Sequence, residues 1–444
     1  MRASSDLLVP PLKPRVGVVG LSSPLEVGAE QAPRAAAALA QFLREAGCET
    51  VEAGALGHPD HSVAAGRRFA EEHVDAVAGA ATSWYEDYLV LDLLEECPVP
   101  ILLWSLPGME TGALCGTQQL TCFLKPLGWP YEAVFGELTE AGVRSRLRTS
   151  VRAAALRTRL RRARIGLAGH RIGGMTHTAP AEFMLKKAVG PRVVPLDLPQ
   201  LLRRAAEIPE AITGPLWQQV CAAGSCRVPD EEGWASMQVY VAVRELVTEY
   251  RLEALTIGCY PHLMGRVCLA ASLLADEGVP LACEGDVHGA VGQLMLSLLT
   301  GGPTHHTDWL NPLEDGTVVF THCGSGSFRL AERPSEIALE RVRLLQQGVC
   351  ALFTAKPGPV TLLSLGATEG GYQVALLEGQ ALSTPLVFPG NPVRVQFSQP
   401  VGELIGWIHE AGIGHHWTIG YGHVGPEIRA WARCAGPSVR LLEP

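Results

Sequence analysis

The sequence has 444 residues, of which 47% are apolar and 18% are charged, so it is too hydrophobic for a disordered chain and long enough for two or three domains. No run approaches the 18 uninterrupted apolar residues of a transmembrane helix, and the first residues lack the apolar centre of a signal peptide. The net charge of −9 argues against nucleic-acid binding, which requires excess Lys and Arg. We therefore expect a cytoplasmic protein that binds neither membranes nor nucleic acids.

The first part of the chain predicts a parallel sheet covered by helices. A short apolar strand at 15–20 precedes an amphipathic helix at 29–46, and a second unit of this kind follows at 49–72. A later buried strand is predicted at 99–104. Apolar strands that alternate with helical patterns are typical of a doubly wound parallel sheet. We assign residues 1–160 to this N-terminal α/β domain.

Nine arginines lie between residues 144 and 164. Such a density is compatible with a surface that binds anions or nucleic acid. However, alanines and leucines are interleaved with these arginines, and the protein as a whole is acidic. We therefore favour a solvent-exposed helix that joins two domains.

A second α/β pattern and then a β-rich region follow. The strand predicted at 165–169 resembles the opening strand of the chain, and a strand at 254–258 leads to another at 280–284. From about residue 346 the pattern changes to short strands separated by turn residues. We assign 161–345 to a second doubly wound, Rossmann-like α/β domain, and 346–444 to a smaller β-rich C-terminal domain.

The residues that could carry chemistry concentrate in the second half of the chain. The acidic and imidazole side chains of this region are Glu284, Asp286, His288, His305, His306, Asp308 and His322. Most of them fall at predicted strand ends and loops, and open α/β sheets bind ligands at the carboxyl ends of their strands. Carboxylates combined with histidines are ligands suited to Mn²⁺, Mg²⁺ or Co²⁺ rather than to a closed thiolate zinc site.

Several of these residues also have structural interpretations. We expect Asp286 to cap the helix that follows it and His288 to be a packing or orienting residue. His322 could be either a donor that orients a ligand or a core histidine. A second cluster near the C-terminus contains the adjacent His415 and His416. Neighbouring residues on a strand point to opposite faces, so only one of these two could join a given metal.

Short motifs in the second half of the chain resemble one known family when they are taken together. They are Ala-Cys-Glu-Gly-Asp-Val at 282–287, Gly-Pro at 302–303, Asp-Trp at 308–309, His-Cys-Gly at 322–324 and Gly-His-His at 414–416. In this combination and order they resemble the L-fucose isomerase/L-arabinose isomerase family. Looser likenesses upstream extend the resemblance over most of the chain.

The resemblance implies a metal-dependent isomerase that interconverts an aldose and a ketose. Carried over by position, Glu284 and Asp308 would ligate a divalent metal, Mn²⁺ with Mg²⁺ or Co²⁺ as alternatives. His416, rather than His415, would be the third protein ligand. The resemblance also implies a homo-oligomer, a trimer or a hexamer, with the site near a subunit interface and partly covered by a neighbour's N-terminal domain.

The implied chemistry agrees with these residue types. Moving a carbonyl between C1 and C2 of a monosaccharide requires removal of a weakly acidic proton next to the carbonyl. A metal bound to both oxygens stabilises the enediolate, and a carboxylate can carry the proton. We expect Glu284 and Asp308 to serve both as ligands and as proton shuttles in transfer through an enediol. The same ligands would equally serve a metal-assisted hydride shift.

Two departures from the family pattern bear on the substrate. Thr-His-His-Thr at 304–307 replaces residues that are often apolar in relatives, and the chain is shorter than typical L-fucose isomerases. The sugar could be of the fucose or arabinose type, or a modified or anionic sugar. Candidate substrate contacts are His305, His306, Trp309, His322, Arg394 and His415. Two alternatives are a non-catalytic sugar-binding or regulatory protein on tandem α/β domains, and a metal-dependent sugar epimerase or lyase on the same scaffold.

Overall fold

A computed structural model describes residues 7–444 of the chain, which form two compact units. The N-terminal unit contains Leu12–Arg161 and Pro426–Pro437. The main unit contains Arg162–Gly425 and Ser438–Pro444, together with the described residues before Leu12. Within residues 7–444, no helix combines the length and the apolar character that crossing a membrane would require.

The N-terminal unit is built on a five-stranded parallel sheet with the strand order β2-β1-β3-β4-β5. The strands are β1 (Arg15–Leu21), β2 (Glu49–Leu56), β3 (Ala76–Ala81), β4 (Ile101–Ser105) and β5 (Tyr131–Phe135). The helices are α1 (Ala32–Glu45), α2 (Pro59–Glu71), α3 (Asp87–Glu96), α4 (Ala113–Leu124) and α5 (Ala141–Arg162). One apolar cluster joins the sheet to α2, α3 and α4, and another joins it to α1 and α5. The central strands are apolar throughout because helices cover both faces of the sheet.

The arginine-rich segment forms the 22-residue helix α5. It was predicted to be a solvent-exposed connector, but one face of the helix is buried in the N-terminal unit, where Leu147 and Val151 join the core. Several of its arginines also have partners there. Arg152 forms an ion pair with Glu427, and Arg157 donates a hydrogen bond to the carbonyl of Cys434. These two contacts therefore tie α5 to the C-terminal residues of the same unit.

The main unit opens with a second parallel sheet, whose strand order is β10-β9-β6-β7. Its strands are β6 (Arg164–Ala168), β7 (Arg192–Leu196), β9 (Ala254–Ile257) and β10 (Leu281–Ala282). The helices of this region are α6 (Glu182–Met184), α7 (Leu198–Glu207), α8 (Glu210–Cys221), α9 (Asp230–Tyr250), α10 (Cys268–Asp276) and α11 (Val287–Thr300). A small separate sheet contains β8 (Ser225–Cys226), β13 (Ala338–Glu340) and β14 (Cys350–Leu352).

The remaining strands form a largely antiparallel sheet with the order β15-β18-β11-β12-β17-β16-β19. They are β11 (Thr304–Pro312), β12 (Val318–Thr321), β15 (Gly358–Thr368), β16 (Gly371–Leu382), β17 (Val393–Gln396), β18 (His416–Tyr421) and β19 (Val439–Leu442). A further pairing of β15 with β16 closes six of these strands into a barrel around an apolar core. The last two helices are α12 (Val401–Ala411) and α13 (Gly425–Ala435).

The predicted fold class is confirmed, since two parallel α/β sheets are followed by an antiparallel β-rich region. The boundary expected between residues 160 and 161 lies one residue from the junction of the two units at Arg161 and Arg162, whereas the boundary expected at 345 falls inside the main unit. Strands β11 and β12, assigned to the second α/β domain, belong to the antiparallel sheet, and residues on either side of 345 share one compact unit. The reason is long-range pairing, because β11 bonds to β18 far along the chain. Such pairing leaves no local signal in the sequence.

Candidate active site

Glu284 lies in the tight turn between β10 and α11, at the carboxyl end of a parallel strand as expected. Its backbone adopts a left-handed conformation with φ of 68°, which is rare for a residue other than glycine. The turn is held from both sides: Ile172 N–H donates to the Glu284 carbonyl, and Gly285 N–H donates to that of Ile257. Backbone strain of this kind typically persists where surrounding structure enforces it at functional sites.

Asp308 and His416 meet through the register of the antiparallel sheet. Asp308 on β11 lies directly opposite His416 on β18, and directly opposed residues present their side chains on the same face. Asp308 Oδ1 is 3.5 Å from His416 Nε2, and this nitrogen is 3.3 Å from Glu284 Oε2. The structure therefore brings together all three predicted metal ligands, two from strands of the antiparallel sheet and one from the edge of the parallel sheet.

Asp286 has a different role from the predicted one. It occupies the N-cap position of α11, but its side chain makes no capping hydrogen bond, so that prediction is wrong. Its Oδ2 instead lies 2.9 Å from Nδ1 of His416. A hydrogen bond to an ionised carboxylate is charge-assisted, and this one joins two buried side chains. Because a carboxylate accepts hydrogen bonds, Asp286 holds the proton of the neutral ring on Nδ1 and leaves Nε2 free to bind a ligand.

The electrostatics of this pair follow from burial and mutual attraction. Burial disfavours the charged forms of both Asp286 and His416. The hydrogen bond between them, together with the attraction of nearby histidines, has the larger effect and holds the pKa of Asp286 below its usual value. In the same way the bond to Asp286 and the nearby Glu284 carboxylate overcome burial and raise the pKa of His416 to about 9. The site therefore attracts positive charge to the position of His416 Nε2.

Two further histidines surround His416. The His306 ring lies 4.4 Å from that of His416, and burial lowers the pKa of His306 well below its usual value. Helix α11 can approach this ring only because position 289 is a glycine, where a Cβ would come within 2.4 Å of His306. His177 was missed by the sequence analysis. Its ring lies 6.3 Å from that of His416, and no motif marks it.

His415 is also close to the cluster, contrary to expectation. Its Nε2 is 3.8 Å from Asp308 Oδ1, and its ring is 4.3 Å from that of His416. The expectation that only one of the two histidines could join a given metal assumed that both lie on a strand. Strand β18 begins at His416, so the alternation of side chains along a strand does not apply to His415.

A cleft of about 150 Å³ is lined by Glu284 and Asp308. His322 and Cys323 form another part of its lining, together with apolar side chains such as Phe388. Burial disfavours the charged ring of His322, but the adjacent Cys283 sulfur favours it and raises the pKa of His322 to about 10. Of the six candidate substrate contacts, His322 is the one found in the lining of this cleft.

Three other candidate contacts do not line the cleft. Trp309 stacks on Phe397 in the core of the barrel. Arg394 forms an ion pair with Asp315 and donates a hydrogen bond to Thr317. His305 is buried and faces Ile419, a residue of the barrel core, across the β11–β18 pair.

His305 provides a test of stability against pH. Both of its ring nitrogens are buried without a hydrogen-bond partner among residues 7–444, and burial lowers its pKa to about 3. Between the two pKa values, His305 is protonated in the unfolded chain but neutral in the native state. The free energy of unfolding should therefore fall as the pH drops below about 6.5. We expect His305→Met to reduce this slope between pH 6.5 and pH 5 in denaturant titrations, and to leave turnover within about threefold. An unchanged slope, or loss of substrate binding, would contradict the structural role.

The donor set fits a divalent cation. Asp308 Oδ1 and His416 Nε2 are buried atoms with no hydrogen-bond partner within residues 7–444, although they lie 3.5 Å apart. Ligand atoms of Asp308, His415 and His416 all lie within 4.8 Å of one another. Orphaned carboxylate and imidazole atoms that converge in this way are a donor set for Mn²⁺, Mg²⁺ or Co²⁺.

Comparison with known proteins gives an independent view. No family model matches the chain. It is 27% identical to a sulfoquinovose isomerase of Alkalicoccus urumqiensis, over 81% of this chain and 84% of that protein. It is 25% identical to the sulfoquinovose isomerases of Priestia aryabhattai, over 79% and 82%, and of Clostridium sp. (strain MSTE9), over 75% and 78%. The protein is a sugar isomerase of the aldose–ketose class, which confirms the predicted type of enzyme.

Proposed function

We propose that this isomerase converts a sulfonated hexose of the sulfoquinovose type into the corresponding ketose, with the help of a divalent metal ion. One observation carries the proposal: Glu284, Asp308 and His416 converge beside a cleft in a chain that is similar, over most of its length, to sulfoquinovose isomerases. Sulfoquinovose is a glucose-type aldose with a sulfonate on C6. It matches the modified or anionic sugar among the substrates considered from the sequence.

Glu284, Asp308 and His416 would hold the metal, in the same positions that the resemblance to L-fucose and L-arabinose isomerases implies. Mn²⁺ is the ion we expect, with Mg²⁺ or Co²⁺ as alternatives. When bound, the ion supplies Lewis acidity at the sugar oxygens, which lowers the cost of removing the proton next to the carbonyl.

The proton itself is carried by the chain's own carboxylates. Glu284 and Asp308 both line the cleft and are only partly exposed, at 17% and 29% of their side-chain surfaces. One of them takes the proton from the carbon next to the carbonyl, giving an enediol, and a proton returns to the neighbouring carbon. Asp286 acts through His416 by fixing its ring, and it is therefore a positioning residue.

The activity is tested by incubating the Mn²⁺-loaded protein with sulfoquinovose in deuterated water. We expect conversion to the ketose with deuterium at C1 or C2, as proton transfer through an enediol requires. Glucose and 6-deoxyglucose serve as matched sugars without the sulfonate. Conversion without deuterium would instead favour a hydride shift. A product other than a ketose would favour an epimerase or a lyase, and failure to convert sulfoquinovose would refute the substrate.

We also propose a homo-oligomer with the site near a subunit interface, as the family resemblance implies. In the N-terminal unit, Leu25 is 95% exposed and Met109 is completely exposed. Contiguous exposed apolar patches are typical of interaction surfaces, and the segments that carry Leu25 and Met109 are neighbours, since Gly28 lies against Thr111. Light scattering coupled to gel filtration should give a trimer or a hexamer, and a monomer at micromolar concentration would contradict this proposal.

The role of Asp286 is tested with Asp286→Asn. The amide can donate to Nδ1 of His416 and stabilise the wrong tautomer, so we expect the Kd for Mn²⁺ to rise by about 10- to 100-fold, as for other residues that orient metal ligands. Excess Mn²⁺ should restore much of kcat. Asp315→Asn is the matched control, since Asp315 pairs with Arg394 away from the cleft. An unchanged Kd in calorimetry would show that Asp286 does not orient the ligand.

A further inference from the structure

We propose that Arg343 binds the anionic group of the sugar and makes the enzyme select sulfonated substrates over uncharged ones. Arg343 lines the same cleft as Glu284 and Asp308. The proposal rests on the proposed function, because it assigns a residue to the part of the substrate that distinguishes sulfoquinovose from glucose.

The negative charges along the cleft imply that a positively charged side chain is needed to bind an anionic sugar. Glu284 and Asp308 place two negative groups on its wall. They suit a metal ion and polarised sugar oxygens, but they repel a sulfonate. An anionic substrate therefore needs a positive group elsewhere in the cleft. Among the side chains that the structure describes there, Arg343 alone is an arginine or a lysine.

Arg343 is also free to act, unlike the arginines near it. Arg341 is paired with Glu232, and Arg227 is paired with Glu340. Within residues 7–444, the Arg343 guanidinium has no carboxylate partner. An arginine that is already neutralised offers little to a ligand, whereas an unpaired guanidinium keeps its full charge and its five N–H donors.

The orientation of Arg343 suits an oxyanion. Its guanidinium carbon lies 5.2 Å from the centre of the Phe388 ring, which also lines the cleft. When a guanidinium stacks on an aromatic ring, the flat face of the guanidinium contacts the ring. The N–H groups at its edge remain available to donate hydrogen bonds to a ligand. Two of these groups can donate in parallel to two oxygens of a sulfonate, as they do to phosphate and carboxylate. Phe388 therefore positions the cation without neutralising it.

This assignment differs from the one favoured by the sequence alone. Arg394 was the candidate contact for an anionic sugar, but its guanidinium is bound to Asp315 and Thr317 and does not line the cleft. No motif in the sequence around Arg343 marks it as a binding residue. Its proposed role depends on the lack of a carboxylate partner among residues 7–444 and on the nearby Phe388 ring, and both are features of the folded chain.

The proposal is tested with Arg343→Gln on two substrates, sulfoquinovose and 6-deoxyglucose, which differ only in the sulfonate. We expect kcat/KM for sulfoquinovose to fall by at least about tenfold, mainly through KM, because an exposed ion pair with bidentate geometry contributes binding rather than chemistry. Activity on 6-deoxyglucose should stay within about twofold. Arg343→Lys should recover part of the loss, and Arg341→Gln, which alters a paired neighbour, should behave like the wild type.

Equal losses on both sugars, or no loss on sulfoquinovose, would overturn the role of Arg343 while leaving the proposed function intact. Calorimetry with sulfoquinovose separates the two proposals further. If the wild type binds sulfoquinovose without converting it and Arg343→Gln abolishes that binding, the proposed reaction fails but the anion site stands. If the wild type neither binds nor converts it, both proposals are refuted.

Discussion

Glu284→Gln should lower kcat by at least about 10³-fold, because it removes a carboxylate that is proposed both to hold the metal and to carry the proton. Gln has nearly the same shape, and it meets the same left-handed backbone as Glu284 does, so the turn between β10 and α11 is not further strained. The amide cannot accept the proton. It also removes a negative charge 3.3 Å from His416 Nε2, which weakens attraction for a cation.

The measurement is initial rate on sulfoquinovose at saturating Mn²⁺, with thermal unfolding followed in parallel. Glu340→Gln is the matched control, because Glu340 pairs with Arg227 outside the cleft that Glu284 lines. The melting temperature of Glu284→Gln should remain close to that of the wild type. If the variant keeps a substantial share of the activity, Glu284 is neither ligand nor proton shuttle.

Removal of divalent metal should abolish turnover, and Mn²⁺ should restore it. Without a cation, Glu284 and Asp308 face the cleft with an orphaned Asp308 oxygen, and neither can polarise a sugar carbonyl. A ligand that binds only the folded state also stabilises it, so we expect the melting temperature to rise with Mn²⁺ concentration. The measurement combines dialysis against a chelator, metal analysis, activity and thermal unfolding.

His416→Ala serves as the control for the metal experiment. This variant lacks the third proposed ligand, and its melting temperature should respond little to Mn²⁺ while its activity stays low. The variant also leaves Asp286 buried without its hydrogen bond, so some loss of stability is expected in any case. Full activity of the wild type with no detectable metal would refute a metal-dependent mechanism.

The parts of this protein that the sequence determines are those with a local signal. Apolar strands that alternate with amphipathic helices predicted the parallel sheets, since both patterns repeat within a few residues. The position of Glu284 followed from the same logic, because it comes directly after a buried strand. The short motifs at 282–287, 302–303, 308–309, 322–324 and 414–416 indicated an aldose–ketose isomerase when they were taken together.

Tertiary structure decided the rest, because the deciding contacts join distant parts of the chain. Pairing of β11 with β18 moved Asp308 from the predicted α/β domain into the barrel and placed it opposite His416. The packing of α11 against β18 placed Asp286, which was expected to cap the helix, within hydrogen-bond distance of His416. A hydrogen bond or an unpaired charge depends on what lies nearby in space, so only the folded chain could distinguish Arg343, which is unpaired, from Arg394, which is already bound to Asp315.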